Sequence, residues 1–323
     1  MRSYLVPSKI DFGFRQTPKS FFVEEIPARS FGQKGRYAIL KVQKEGLSTW
    51  EMVKILGSFL QERQIGYAGL KDKNATTIQY LSLPASHLRR LAKFSHPRIQ
   101  ILQTWRSNTP LRMGDLLGNR FGIWIDRIDT KRFGQLQKAL DKIAHKGLPN
   151  YFGYQRFGQN ALEQARALIE GEFFTRDKKL ERMLLFAYQS DLFNRWLDER
   201  VRMSENGRFK LLEGDIYQAD SKLFTPTYIP LEDFLAKKIM VTGLLPGSKA
   251  YRARAEARKV EEKYDEHLPL LGQRRAALVY PNSIKTRHIK KRAHLEFILP
   301  KASYATILLE NLAGKQIDYK GLA

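Results

Sequence analysis

Residues 66–84 read GYAGLKDKNATTIQYLSLP, a segment that predicts a loop held by sheet and carrying a single carboxylate. Tyr67 to Leu70 has the character of a short strand, and Thr76, Thr77, Ile78 and Tyr80 favour an extended return as far as Leu83. Asn74 favours the turn between them, over Lys71 to Ala75. Asp72 therefore stands at a strand end, between Lys71 and Lys73. Its plainest role is to cap a turn while the lysines face water. A second role follows if polyanions dock here, because nearby negative charge raises a carboxyl pKa and repels the ligand. Two adjacent lysines oppose both effects and keep the aspartate ionised, available as a nucleophile or base.

The composition favours such a partner. The 323-residue chain has a formal net charge of +23 and a sequence pI near 10.0. Its basic residues are spread along the chain and are not gathered beside an apolar span, so a nucleic acid is a better partner than a membrane surface. Cysteine is absent, which excludes disulfides, thiolate metal sites and cysteine nucleophiles. The six histidines, His87, His96, His145, His267, His288 and His294, show no close ligand spacing, so no metal is expected. No apolar run has the length to cross a bilayer, and the opening MRSYLVPSKIDF lacks the hydrophobic stretch of a signal peptide, so a cytoplasmic protein is expected.

Outward from the loop, Tyr37 to Val42 reads as a strand, and Ser48 and Glu51 have capping-box spacing that opens a helix over about Thr49 to Gln61. Phe121 to Ile125 is a further strand. Phe133, Leu136, Leu140 and Ile143 mark a helix ended by Gly147 and Pro149. From about Asn160 to Met203 the pattern is helical, with an apolar stripe that includes Leu184, Tyr188, Leu192 and Trp196 and is read as core. The charge-dense run from Tyr251 to Glu266 reads as a solvated helix face, with RNA contact by Arg252, Arg254 and Arg258 as the alternative. Strand character returns at Ala276–Tyr280 and Leu295–Leu299, before a closing helix over Tyr304–Leu312. Strand-rich, helix-rich and strand-rich thirds suggest one domain inserted into another, an α+β organisation.

A second loop, Asn150 to Gly158 (NYFGYQRFG), gathers four aromatic rings, two amides, a guanidinium and two glycines. It suits stacking on an unpaired base and bonding to its edge, although a buried aromatic plug after a helix would read the same way. The stretches SFFVEEIP at Ser20–Pro27 and LPKASYAT at Leu299–Thr306 add aromatics near either end.

These four segments, GYAGLKDKNATTIQ, PNYFGYQRFG, SFFVEEIP and LPKASYAT, occur in the order and spacing of the TruD family of tRNA pseudouridine synthases, which the chain resembles over nearly its whole length. TGLLPGSKA and LLEGDIY in the middle block are also similar to that family. The resemblance implies a pseudouridine synthase catalytic domain with a mixed, mainly antiparallel sheet, formed by residues 1–158 and 274–323. An α/β TRUD domain is inserted over 159–273, and tRNA is expected in the cleft between the two. It implies isomerisation of uridine-13 in the tRNA D-arm by a monomer, without metal or organic cofactor.

Asp72 matches the family's catalytic aspartate, which acts while the base is detached, turned and rejoined through carbon. First attack on the sugar, attack on the base and prior loss of a sugar proton all remain compatible with one carboxylate. Phe21, Asn150 and Tyr304 match positions that contact the target nucleotide, with Lys71, Lys73, Phe152 and Arg156 in support. Two positions depart from the family pattern. Tyr304 stands where phenylalanine is common, and its added hydroxyl needs a partner. Arg15 stands where lysine is frequent, and it places charge and donors differently. The rival readings are a non-catalytic RNA-binding or ribosome-assembly protein, and a nuclease or phosphodiesterase. The latter would need a cluster of acids or histidines that the Asp72 segment lacks.

Overall fold

The fold was analysed on a computed structural model, which describes residues 2–157, 160–220 and 222–317. Gly158, the last glycine of the aromatic loop, lies outside the described residues. So do the 158/159 edge of the expected insert and the tail after residue 317. The chain divides into two compact units, one of residues 11–137 and 281–302, the other of residues 2–10, 138–280 and 303–317.

In the first unit the strands are β1 (Phe21–Pro27), β2 (Tyr37–Glu45), β3 (Gly66–Tyr67), β4 (Thr76–Pro84), β5 (Ile99–Ser107) and β6 (Leu116–Asp126), with later strands at Asn282–Ile289 and Arg292–Pro300. Among the described residues they form one eight-stranded sheet. Its order is Asn282–Ile289, Arg292–Pro300, β6, β1, β4, β2, β5, with β3 paired to β4. Neighbours run antiparallel except β1 and β4, which pair in parallel from Phe22↔Thr76 to Glu24↔Ile78. β4 lies near the centre, and seven of its nine residues are buried. Both of its faces are therefore covered, polar Thr77, Gln79 and Ser82 included.

Helix α1 (Thr49–Leu60) starts as its capping box predicts. Ser48 accepts from the Glu51 backbone N–H, and the Glu51 side chain accepts from the N–H of Ser48. Met52, Leu56 and Leu60 turn inward and join Ala38, Leu40 and Val42 of β2 and Leu81 and Leu83 of β4 in one core. The strand expected over Tyr67–Leu70 shrinks to Gly66–Tyr67. Its first residue, Gly66, can approach the Leu111 backbone because it has no side chain: a Cβ there would lie 2.5 Å from the Leu111 carbonyl oxygen.

The second unit is built on a long helix, Lys178–Arg202, whose N-cap Asp177 accepts from the Lys179 and Leu180 N–H groups. A shorter helix, Ala161–Ile169, precedes it, and Leu184, Ala187, Tyr188 and Leu192 of the long helix share a core with Ala161 and Ala165. Among the described residues this unit also holds a four-stranded antiparallel sheet in the order Gln273–Ala276, Met240–Leu245, Ile216–Ala219, Lys222–Phe224. The indole of Trp196 packs so closely on that sheet that a Cβ at Gly243 would lie 2.1 Å from the ring.

The charged run is mostly exposed, as expected of a solvated face, but only Ala255–Glu261 of it is α-helical. Among its charged residues Glu261 is the exception in burial, accepting from Ala253 N–H and pairing with Arg274. Arg252 and Arg258 both pair with Asp265, each at 2.7 Å. Arg254 remains exposed. No helix among the described residues is long and apolar enough to cross a membrane.

Candidate active site

The parallel pairing of β1 with β4 fixes the surroundings of Asp72. It lays the chain before β1 alongside the loop that leads into β4, where the Thr76 hydroxyl donates to the Pro18 carbonyl at 2.9 Å. Gln16, buried in that chain, donates a side-chain hydrogen bond to the Asp72 carboxylate. From β2, Lys44 Nζ donates to the backbone carbonyl of Asp72 at 2.9 Å and to that of Leu47. The Lys71 N–H donates to Thr49 Oγ1 at 2.9 Å, and that hydroxyl donates to Gln79 Oε1 at 3.0 Å. The helix cap, two strands and the chain before β1 thus all grip the same few residues.

Asp72 keeps partial solvent exposure, but protein packs densely around its carboxyl group. Desolvation therefore raises its pKa above the ordinary aspartate value, against the opposing pull of Lys44, Lys71 and the Gln16 hydrogen bond. Burial pushes the Lys44 ammonium down to about 8, although Asp72 favours its charge.

The two flanking lysines divide. Lys71 turns inward and places Nζ 2.6 Å from Glu25 Oε1, both side chains being buried. The other Glu25 oxygen accepts from the Tyr80 N–H at 2.8 Å, the next strand donor after the parallel pairing ends at Glu24↔Ile78. Gly69 leaves room for this pair: a Cβ there would lie 3.1 Å from Lys71 Nζ and 3.2 Å from Glu25 Oε1. Lys73 turns outward and pairs with Glu51 at 2.8 Å, which together with the helix cap holds Glu51 at about 2. Arg15 is exposed, whereas its neighbour Gln16 is buried and bonds the Asp72 carboxylate.

Phe21 is 2% exposed, its ring set between Phe14 and Phe121 at centroid distances of 6.1 Å each. A ring that stacks on a base must present a face, so in this conformation Phe21 packs in the core and does not offer a platform. Phe22, on the opposite side of β1, is half-buried and lies beside Gly122 of β6, where an added Cβ would be 3.5 Å from the Phe22 Cβ.

In the second unit the structure brings Asn150, Phe152, Arg156 and Tyr304 together. Asn150 is buried, and both ends of its amide are engaged: Nδ2 donates to the Ala276 carbonyl at 3.1 Å, and Oδ1 accepts from Arg275 Nη2 at 2.9 Å. The Arg275 guanidinium also donates to the Asn150 carbonyl and lies 3.9 Å above the Phe152 ring. Burial without a carboxylate beside it pulls Arg275 down to about 10. Arg156 lies over Phe152 and Phe186 and donates to Ser190 Oγ. Tyr304, half-buried, is the N-cap residue of helix Ala305–Ala313, with its ring 6.2 Å from that of Phe152. Gly153 is needed for this packing, since a Cβ would approach Tyr304 Cδ1 to 2.9 Å.

Sequence reading missed Gln16, Glu25, Lys44 and Arg275. A signal existed for two of them. Glu25 follows Phe21 and Val23 at strand spacing, and Lys44 follows Leu40 and Val42, so each falls on a buried phase of its strand. Among the described residues no group of His, Asp or Glu side chains is arranged to hold a metal ion.

A sequence-family model described as tRNA pseudouridine synthase D (TruD) matches residues 1–176 and 170–312. A protein named tRNA pseudouridine synthase D from Wolinella succinogenes is 40% identical, with 97% of this chain and 98% of that protein covered. A namesake from Nitratiruptor is 38% identical with the same coverage, 97% and 98%. A solved structure from Methanosarcina mazei, described under the TruD name, superposes with a TM-score of 0.73 over 97% of this chain and 95% of that one. At 22% identity it speaks for the fold. On the family match, the identity and its coverage, the chain belongs to the TruD family of tRNA pseudouridine synthases.

Proposed function

We propose that the chain isomerises uridine-13 in the D-arm of tRNA to pseudouridine, with Asp72 as the nucleophile. The observation that carries this reading is the Asp72 carboxylate itself, held by Gln16 and flanked by the charges of Lys44 and Lys71 in a strongly basic chain of this family. In the reaction the N1–C1′ bond of the nucleotide breaks, the uracil turns, and a C5–C1′ bond forms. The C5 proton leaves and N1 ends protonated, so atoms balance without an oxidant or a cofactor. An ionised carboxylate next to two ammonium groups can engage the electron-poor fragment while the ring turns.

Reaching that bond requires the nucleotide to leave its stack, at a cost of a few kcal/mol. Stacking returns about 1–3 kcal/mol per base, and phosphate contacts by the basic surface supply the rest. In this reading Tyr304 and Arg156 contribute to RNA binding, Phe152 and Asn150 shape their loop, and Phe21 packs with Phe14 and Phe121 beneath β1. The family-specific insert is assigned to residues 159–273, with 1–158 and 274–323 as the catalytic domain.

Release of tritium from tRNA labelled at uridine C5 tests the activity, and mapping the product locates the position. Asp72→Asn is expected to abolish release while leaving tRNA affinity within about twofold of wild type, since one buried carboxyl adds little to phosphate binding. Turnover by this variant would remove Asp72 from the nucleophile role. A pure RNA binder would release no tritium at all.

A further inference from the structure

Lys44 has 0% of its surface exposed, as have Leu40 and Val42 on the same strand. An ammonium at such a place loses its hydration, and lysine is rarely buried to this degree without a partner that restores part of it. Among the described residues its hydrogen bonds go to two carbonyl oxygens, those of Leu47 and Asp72. Among the charges that act on it, Asp72 comes first and favours the ammonium, ahead of Lys71, Glu51 and Glu25. Glu25 is itself paired with Lys71 and Glu51 with Lys73. In return, Lys44 is the foremost of the charges that oppose desolvation of Asp72.

We propose that Lys44 is a positioning residue for the isomerisation, a buried cation that fixes the Asp72 backbone through its carbonyl oxygen and keeps the Asp72 carboxylate ionised. The inference rests on Asp72 being the reactive carboxylate. Lys71 also favours the Asp72 charge, but its ammonium is shared with Glu25, 2.6 Å away. The arrangement also ties activity to the Lys44 proton. Since burial brings that ammonium down to about 8, its charge is present at neutral pH and fades just above it.

The test is the single-turnover rate of tritium release against pH, with tRNA affinity measured alongside, in Lys44→Gln and Lys44→Arg. Glutamine keeps amide donors for the two carbonyls but carries no charge. It is expected to move the acid limb of the rate upward by about 1–3 pH units, the range for losing a neighbouring opposite charge. The alkaline decline should disappear and the tRNA dissociation constant stay unchanged. Arginine, with its charge retained, should keep the acid limb of the wild type.

A wild-type rate profile in Lys44→Gln, or the same displaced limb in both variants, would overturn the proposal. If either variant fails to fold, carbon NMR of the Asp72 carboxyl in the unmodified protein decides. A second inflection on the alkaline side, from Lys44 titrating below its ordinary value, supports the coupling, and a carboxyl signal that does not respond to the Lys44 titration refutes it. Asp72→Asn separates the two ideas. Activity there sinks the nucleophile assignment, whereas an inactive Asp72→Asn beside a wild-type Lys44→Gln sinks the role of Lys44 alone.

Discussion

Lys71 and Glu25 form a buried ion pair, Nζ to Oε1 2.6 Å, between the Asp72 loop and the strand laid parallel to the start of β4. The loop has no regular backbone pairing of its own between Leu70 and Asn74, so this pair substitutes for a ladder. Removing one member leaves the other charged and desolvated. Glu25→Ala is expected to destabilise the protein by about 3–5 kcal/mol. It also frees the Tyr80 N–H from its acceptor. Chemical denaturation reads this directly, and a loss below about 1 kcal/mol would show that the pair is dispensable.

The raised pKa of Asp72 makes its ionisation a stability term with a definite sign. An acid whose folded pKa lies above its unfolded value contributes stability below the unfolded pKa and loses it as pH rises through the folded one. Asp72→Asn lacks that titration, so its stability relative to wild type is expected to increase as pH is raised from acid to neutral. Catalysis has the opposite requirement, because the carboxylate must be ionised. The wild-type rate should therefore fall on acidification with an apparent pKa above that of an ordinary aspartate. Paired melting curves and rates across the same pH series check both.

Gly153 faces the Tyr304 ring, and a Cβ would come within 2.9 Å of Cδ1 and 3.1 Å of Thr306 Oγ1. Its φ of −73° suits alanine, so the obstacle is contact and not backbone strain. Gly153→Ala is expected to cost about 1–3 kcal/mol by overpacking. Tyr304→Ala opens the space, so the double variant should lose less than the sum of the singles, as a double-mutant cycle would report.

Trp50 is 60% exposed, with its ring set edge-on to Tyr67 at 5.5 Å, and it follows the Thr49 that binds the Lys71 N–H. Leu70, on the same loop, is 53% exposed. An open indole beside the Asp72 loop, in a basic chain, is a platform for a nucleobase. Trp50→Ala should weaken tRNA binding by about 1–3 kcal/mol. Stacking releases no counterions, so the slope of log affinity against log salt should not change. A changed slope would mean that phosphate contacts had been disturbed instead.

The sequence was most legible where structure is local. Ser48 and Glu51 announced the start of α1, and threonines and aromatics announced β4, because capping and strand preference act within a few residues. The four segments shared with the TruD family were likewise readable in one dimension. The charges were not. Lys71 and Lys73 look equivalent around Asp72, yet one is buried on Glu25 and the other is exposed on Glu51.

By itself the sequence determined the family, the loop that presents Asp72 and the aromatic loop after Pro149, since these depend on residue identity and short spacing. Tertiary structure decided how the charges and donors around Asp72 are deployed: Gln16 on its carboxylate, Lys44 on its backbone carbonyl, Lys73 paired outward with Glu51, and Phe21 turned to the core. Those choices follow from the parallel pairing of β1 with β4 and from the phase of β2 beside it. Burial and charge pairing are set by strands distant in sequence, and pairing register is a property of the folded sheet.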